Sequence, residues 1–446
     1  MSKQETIDGY LNFVTRLGAG GDKAGAYAVD DLTNQASRLE SMYRSNWMAG
    51  TIVDCVAEDM TKSGVDFVGS LSAVDEARIQ GYITRKGLWR ALLSAIKWAR
   101  LYGGAILVID LDGQDTSAPL NLDTVGLGSL RGFRVYDRWA CEPSVNDVVF
   151  SSFGEPQPRY YTLALPHRQS YGVKIHHSRV LRLLGNELPP SVCAQNGFWG
   201  ASVLERLLDR LVYFDSATAG AASLVQKAHL RIVQVDSLRE ILAAGGLAEE
   251  NLLKSFQYMR YLQNNEGVTL LDKADGFNTH SYSFSGLDSM VLQFGQQLSG
   301  ACGIPLVRLF GQSPVGLNST GESDLRLYYD GVLSQQESKL RECLSEVFKV
   351  CYRACFGEPE PSDFDFNFKP LWQVSTLEKS QLAQSLSATV CSAYTAGIVD
   401  LETALQELKR GSVENDVFGS ITEDKIKAAV FSEPPLVSGE SSVENV

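Results

Sequence analysis

The chain has 446 residues, 44% of them hydrophobic and 21% charged, the composition of a folded protein with more than one packed region rather than of a disordered or collagen-like one. A formal net charge of −13 argues against a general nucleic-acid binder, whose surface is basic, but not against a wall past which nucleic acid slides without sticking. Eight cysteines with no CxxC pair, and a start Met1-Ser2-Lys3-Gln4-Glu5 with no secretory pattern, point to reduced thiols in a cytoplasmic setting, and no apolar run reaches membrane-spanning length.

Residues 1–30 are rich in Gly and Ala. Without a preceding strand or the GxxxxGK pattern they read as a flexible arm, not a phosphate loop. Residues 31–101 read as helical: Asp31-Leu32-Thr33 opens one helix, residues 43–60 carry apolar side chains at helical spacing, and Leu88, Leu92, Ala95, Ile96 and Ala99 form a further stripe. Over 102–185 the period shifts to that of strands, at 104–110, 133–136, 160–165 and 180–184, separated by Gly, Pro, Asp and Asn turns. The fold class is therefore α+β. A long helix is predicted from Trp199 to about 235, with the small-residue run Ser216-Ala217-Thr218-Ala219-Gly220-Ala221-Ala222-Ser223 at its middle, which suits close packing in a bundle or between identical copies.

A compact insert follows over 238–284, with a helix at about 247–262 and a hairpin pairing 268–271 with 280–284 through Asp272-Lys273-Ala274-Asp275-Gly276. The next helix, 287–302, is weakened by Gly295, Gly300 and Gly303, consistent either with a helix that shifts beside a loop or with a loosely constrained helix end. Then comes a stretch with Gly, Pro, Ser or Asn at nearly every other position, 310–321, which can continue neither neighbouring helix. The periodicity predicts one long amphipathic helix over 322–356, with Gly331 as its kink site. Residues 364–368 alternate as a strand that returns to the body. Residues 376–396 and 399–409 read as a helical hairpin turned at Gly397, and the end, 433–446, as disordered.

No catalytic constellation emerges: there is no GxSxG, no Walker lysine and no metal-ligand spacing, so no cofactor and no metal are expected. His176 and His177, if on a strand, point to opposite faces and read as structural. Cys343, Cys351 and Cys355 share a helical face and read as buried small side chains before a metal set. Asp363 and Asp365 read as solvated edge charges, and Glu322 and Asp324 as first-turn acids with Thr320 as a cap.

Three blocks carry a resemblance: Ile304-Pro305-Leu306-Val307-Arg308-Leu309-Phe310-Gly311, then Gly316-Leu317-Asn318-Ser319-Thr320-Gly321-Glu322-Ser323-Asp324, then Tyr328-Tyr329-Asp330. Together they resemble the portal proteins of tailed bacteriophages, and the runs at 43–60 and 175–181 share the likeness, which covers most of residues 30–410. The resemblance implies an N-terminal arm (1–30), an α+β wing (31–200), a first stem helix (201–237), a clip (238–284) and a second stem helix (285–304). A tunnel loop (305–321), the long kinked helix with the wing's return strand (322–375), a helical crown (376–432) and a tail (433–446) complete it. It also implies a homo-oligomeric ring, usually dodecameric, assembled in the host cytoplasm and placed in the virion at one capsid vertex. The ring would conduct double-stranded DNA in packaging and ejection, with the terminase large subunit, the major capsid or scaffold protein and a head–tail adaptor as partners, and no membrane. Gln312, Ser313, Pro314, Val315, Gly316, Leu317, Asn318, Ser319 and Thr320 would line the channel at its narrowest point. Two other readings stay open: another virion structural or scaffold protein of the same ancestry, and a cytoplasmic enzyme with a site not recognised from its motifs.

Overall fold

The structure is a computed structural model, which describes residues 31–150, 156–164, 172–227, 231–234, 243, 245–247, 250–255, 257–258, 276–279, 286–311, 321–372, 376–415, 417–418, 421 and 426. The chain divides into two compact units, Met1–Lys369 and Pro370–Val446.

The first unit opens with a 3-10 turn, Leu32–Asn34, where an α-helix was expected; Asp31 takes φ 45, so the first helix, α1, begins only at Ala36 (Ala36–Ser45). Asn46 breaks the chain and caps α2 (Trp47–Lys62), its side chain accepting from the backbone N–H groups of Met48 and Ala49. Ile52, Val53, Val56 and Met60 bury one face of α2. A short strand β1 (Val65–Val68) leads to α3 (Ala73–Lys86), capped by Ser72, and then to α4 (Leu88–Tyr102), whose predicted stripe is fully buried.

The body of the unit is a three-stranded antiparallel sheet. Its centre is β2 (Gly104–Leu111), flanked by β3 (Leu130–Asp137) and β9 (Val180–Leu184), with Leu107 in register between Val135 and Leu181. Between these strands the chain makes β4 (Cys141–Pro143), the two-stranded pair β5 (Val148–Phe150) and β6 (Pro156–Pro158), then β7 (Tyr160–Leu163) and β8 (Lys174–His176). Strands β4, β7 and β8 form a second small sheet. Ile106 and Val108 of β2 share one core with Cys141, Tyr161, Leu163, Ile175 and Trp199, so the two sheets face each other across apolar side chains. His177 lies in a 3-10 turn, not on the strand, and the two histidine rings stand 4.4 Å apart between centroids instead of on opposite faces.

After α5 (Pro190–Gln195) the long helix does not start at Trp199. Residues 199–207 are held in turns because Trp199, Gly200 and Ala201 are wedged against the backbone of β2 and β9. Asn186 and Ala201 exchange both backbone hydrogen bonds, at 2.8 and 2.9 Å. Only then does α6 (Leu208–Lys227) begin; residues 231–234, expected in the same helix, are strand β10 (Arg231–Gln234), paired antiparallel with β11 (Gly276–Thr279). Gly276 is thus a strand residue where a turn was expected, while 268–271 and 280–284 lie outside the described residues. The described positions over 250–258 are helical, as expected.

Helix α7 (Leu287–Cys302) packs along α6 and ends at Gly303; a one-turn helix, α8 (Leu306–Phe310), follows Pro305. The predicted long helix is two: α9 (Glu322–Lys339) and α10 (Arg341–Phe356), bending at Leu340 rather than at Gly331. The bend follows the packing. Tyr328, Val332 and Gln336 seat α9 on α2, whereas Leu344, Val347, Phe348 and Cys351 seat α10 against α3 and β3. Gly331 has open space around it and no reason to yield. Strand β12 (Asp365–Phe368) then pairs with β1, Phe366 opposite Phe67.

The second unit contains α11 (Thr376–Thr395) and α12 (Leu401–Asn415), an antiparallel pair turned at Gly397, which has φ 69. The hairpin was expected at this place.

Candidate functional site: the anchorage of residues 312–320

The nine candidate channel residues, Gln312 to Thr320, lie outside the described residues, as does the candidate cap Thr320. The chain on either side of them is described, and its geometry shows how their two ends are held.

On the upstream side α7 stops at Gly303, in the left-handed region at φ 68. Ser299 Oγ donates to the Ile304 carbonyl at 2.6 Å, and Ile304 and Leu309 are buried. The Phe310 ring meets Phe214 of α6 edge-on at 5.7 Å and Trp47 of α2 at 6.0 Å. A Cβ on Gly295 of α7 would stand 3.3 Å from the Phe310 ring, so the absence of a side chain there lets the ring close against both long helices. Gly311, at φ 67, ends α8. On the downstream side Gly321, at φ 68, takes the N-cap position of α9, with Glu322 and Asp324 in the first turn where they complement the helix dipole.

Both sides converge on one carboxylate. Asp59 of α2 has a side chain 2% exposed. Its Oδ2 accepts from Arg308 Nε of α8 at 3.0 Å and from the Tyr328 hydroxyl of α9 at 2.8 Å; its Oδ1 accepts from Lys62 Nζ at 3.2 Å. Arg308 also reaches Glu58 at 3.3 Å, and Lys62 reaches the Tyr329 hydroxyl at 3.2 Å. About two turns further along α9, Gln336 Nε2 donates to the Met60 carbonyl at 2.7 Å. A buried carboxylate with three donors is well compensated, and losing one donor weakens that compensation without removing it. Burial alone lowers the Arg308 pKa, but the hydrogen bond and charge of Asp59, with Glu58 adding to them, outweigh it and hold the guanidinium ionised. Burial and the Asp59 charge push the Tyr328 phenol far up, so it stays protonated and donates.

Helix α2 is itself tied on two further sides. Asn46 Nδ2 donates to Asp215 of α6 at 2.5 Å. From α4, Arg100 donates to the carbonyls of Ile52 and Val53, and Lys97 pairs with Asp54 and Glu58, both at 3.3 Å. Asp59, Arg308 and Tyr328 were not singled out in the sequence. Their signal was there: Asp59 sits on the buried stripe of α2 with Ile52 and Val56, and Arg308 is the one charge in the run from Ile304 to Phe310.

The other candidate groups stay apart. Asp363 accepts from Ser70 at 2.6 Å and Asp365 pairs with Arg341 at 3.2 Å, so the two acids serve different contacts. Cys351 and Cys355 are buried and Cys343 half-buried, with burial pushing the Cys343 thiol up to about 11. Among the described residues no group of three or more His, Cys, Asp or Glu side chains is placed to hold a metal ion, and no helix is long and apolar enough to cross a membrane.

An α+β body from which paired long helices run to a doubly anchored segment defines an architecture, and the comparisons place it. Residues 37–391 match the phage portal protein family, and the chain belongs to that family. The portal family is a structural one of the phage virion. Among solved structures, the chain is similar to a component of the neck of a native gene transfer agent (GTA) particle computed with C12 symmetry, at TM-score 0.51 and 14% identity, covering 84% of this chain and 92% of that one. It is likewise similar to the neck of an empty GTA particle computed with C6 symmetry, at TM-score 0.52 and 15% identity, covering 83% and 93%. These likenesses establish the fold. Among curated relatives, it is 28% identical over 395 residues to the anti-CBASS protein Acb1 of Caulobacter sp. (strain RHG1), covering 84% of this chain but only 61% of that protein. It is 26% identical over 440 residues to the protein of the same name from Sphingomonas paeninsulae, covering 96% and 69%. To an uncharacterized protein of Haemophilus influenzae it is 27% identical over 427 residues, covering 94% and 93%. The chain thus spans about three fifths of the Caulobacter relative.

Proposed function

We propose that copies of this chain form a closed ring at one capsid vertex, the conduit for double-stranded DNA entering and leaving the virion and the platform on which the terminase large subunit, the major capsid or scaffold protein and a head–tail adaptor dock. The family match over residues 37–391 carries this reading. The C12 symmetry of a neck assembly with the same fold supports twelve copies as the expected number. In this reading α6 and α7 are the stem, residues 238–284 the clip, the hairpin α11–α12 part of the crown, and the chain works as a structural element without a catalytic step of its own.

Residues 312–320 face the DNA in this account. None of them is charged, and the chain as a whole carries −13. A neutral constriction in an acidic wall keeps non-specific affinity for phosphates low, so the duplex passes without a bound register. Arginine at the constriction adds salt-dependent grip. The double variant Asn318→Arg/Ser319→Arg is therefore expected to form rings of normal mass yet to give virions with shortened packaged DNA; full-length packaged DNA in that variant counts against the assignment.

A second reading is favoured by the name of two relatives: the aligned region covers most of this chain in both. It is tested by expressing this chain alone in a host with CBASS defence and challenging with a phage that the defence restricts. Restored phage growth would move the function toward that activity.

A further inference from the structure

We propose that Asp59 is a positioning residue: it fixes α8 and α9, the helices that flank residues 312–320, relative to each other by binding both through one carboxylate oxygen. The inference rests on the reading of 312–320 as channel-facing, but its structural half stands without it.

Three observations carry it. The first is convergence. Arg308 and Tyr328 lie on either side of 312–320, and both address the same oxygen, Asp59 Oδ2, at 3.0 and 2.8 Å. No apolar contact specifies position in this way. Sliding α9 by one residue carries Tyr328 about 1.5 Å along the axis and swings it by about 100°, which breaks the bond. The second is the kind of group at the clamp: Asp59 is a carboxylate 2% exposed on an otherwise apolar helix stripe. Because such buried ion clusters are often replaceable by apolar side chains of similar volume without loss of stability, the role we assign it is register. The third is where the clamp stands. Helix α2 is bound to α6 through Asn46 and Asp215, and to α4 through Arg100 and Lys97. Helices referenced to Asp59 are thus referenced to α6 and to α4 together, and a pull on them is delivered to both.

The test separates register from stability. In the variant Asp59→Leu/Arg308→Met/Tyr328→Phe the clamp is apolar and close in volume. The ring mass and thermal midpoint are expected to stay near those of the parent. Amide hydrogen exchange over 306–311 and 321–330 is expected to quicken about tenfold, the loss of hydrogen bonds to a charged group, with the strands β2 and β9 unaffected. Virions built with the variant are expected to package less DNA. Parental exchange in both peptides overturns the clamp. Fast exchange with normal packaging keeps the clamp but removes its link to the channel, which is how a failure of the functional reading is told apart. Should the triple variant fail to fold, Tyr328→Phe removes one hydroxyl and leaves Arg308 and Lys62 on Asp59. Faster exchange is then expected over 321–330 but not over 306–311, and equal exchange in both peptides contradicts the proposal.

Discussion

Gly185 is a residue whose missing side chain does structural work. A Cβ there would lie 2.3 Å from the Ala201 carbonyl oxygen and 2.7 Å from that of Ala99, and one on Gly104 would lie 2.1 Å from the Trp199 ring. Three backbone segments meet here, held by the 3.1 Å bond from Gly185 N–H to the Gly103 carbonyl and by the paired bonds between Asn186 and Ala201. Gly185→Ala is expected to lower stability by about 3 kcal/mol, at the upper end of overpacking costs, as read by thermal denaturation. Gly331→Ala is the control of opposite sign. Its Cβ meets nothing within 4 Å on an exposed helical turn, so it is expected to stabilise by up to about 1 kcal/mol. The histidine pair supplies a pH dependence. Burial lowers both pKa values from 6.5, and for His176 the charges of His177, Arg159 and Arg179 lower it further against Asp147; for His177 it is Arg159. Both rings therefore give up their proton more readily in the fold than in the unfolded chain. Their contribution to stability is complete above the unfolded value of about 6.5 and is lost as pH falls from there through the depressed folded values. The thermal midpoint is expected to fall on going from about pH 7.5 to about pH 5, and less steeply in His177→Gln; parallel curves would show that other groups set the slope.

At the scale of elements, α10 is held by aromatic contacts to a strand pair. Phe348 meets Phe67 edge-on at 5.1 Å and Phe366 at 4.8 Å, so it fastens the β1–β12 pair to the helix. Phe348→Ala is expected to cost about 3–5 kcal/mol and to expose that pair first, which urea unfolding with fluorescence of the neighbouring Trp89 would follow. The stripe of α4 and the alternation of β12 were legible because their buried residues repeat at helix or strand period, whereas β1 lies inside the stretch 31–101 that reads as helical and α10 was merged with α9. The misses share one cause, long-range packing that a local pattern does not contain. The bend at Leu340 comes from two different partners for α9 and α10, and the late start of α6 from the wedge of Trp199 against Gly104. The short α8 was hidden because Pro305 and Gly311 confine it to one turn. At the site, the turn chemistry of 303–321 marked where the segment lies. Asp59 and Arg308 were visible singly as charges in apolar runs, but their grouping with Tyr328 was not legible, because Asp59 and Tyr328 are 269 positions apart and meet only when α2 and α9 pack.

For the whole molecule, the central matter is how an acidic chain would assemble with itself in the proposed ring. A net charge of −13 per copy opposes association over distance, so the surfaces that meet must carry little of it. Residues 289–307 of α7 and its continuation contain no charged side chain, and neither do residues 216–226 of α6. A ring built through these helices is expected to hold together as salt is raised, whereas one held by ion pairs would dissociate. The most direct measurement is the mass and symmetry of the purified chain, by light scattering on a sizing column combined with negative-stain imaging. The account predicts rings with a central hole and a mass near twelve times the 48.8 kDa of one copy. A stable dimer or tetramer without a channel would contradict it.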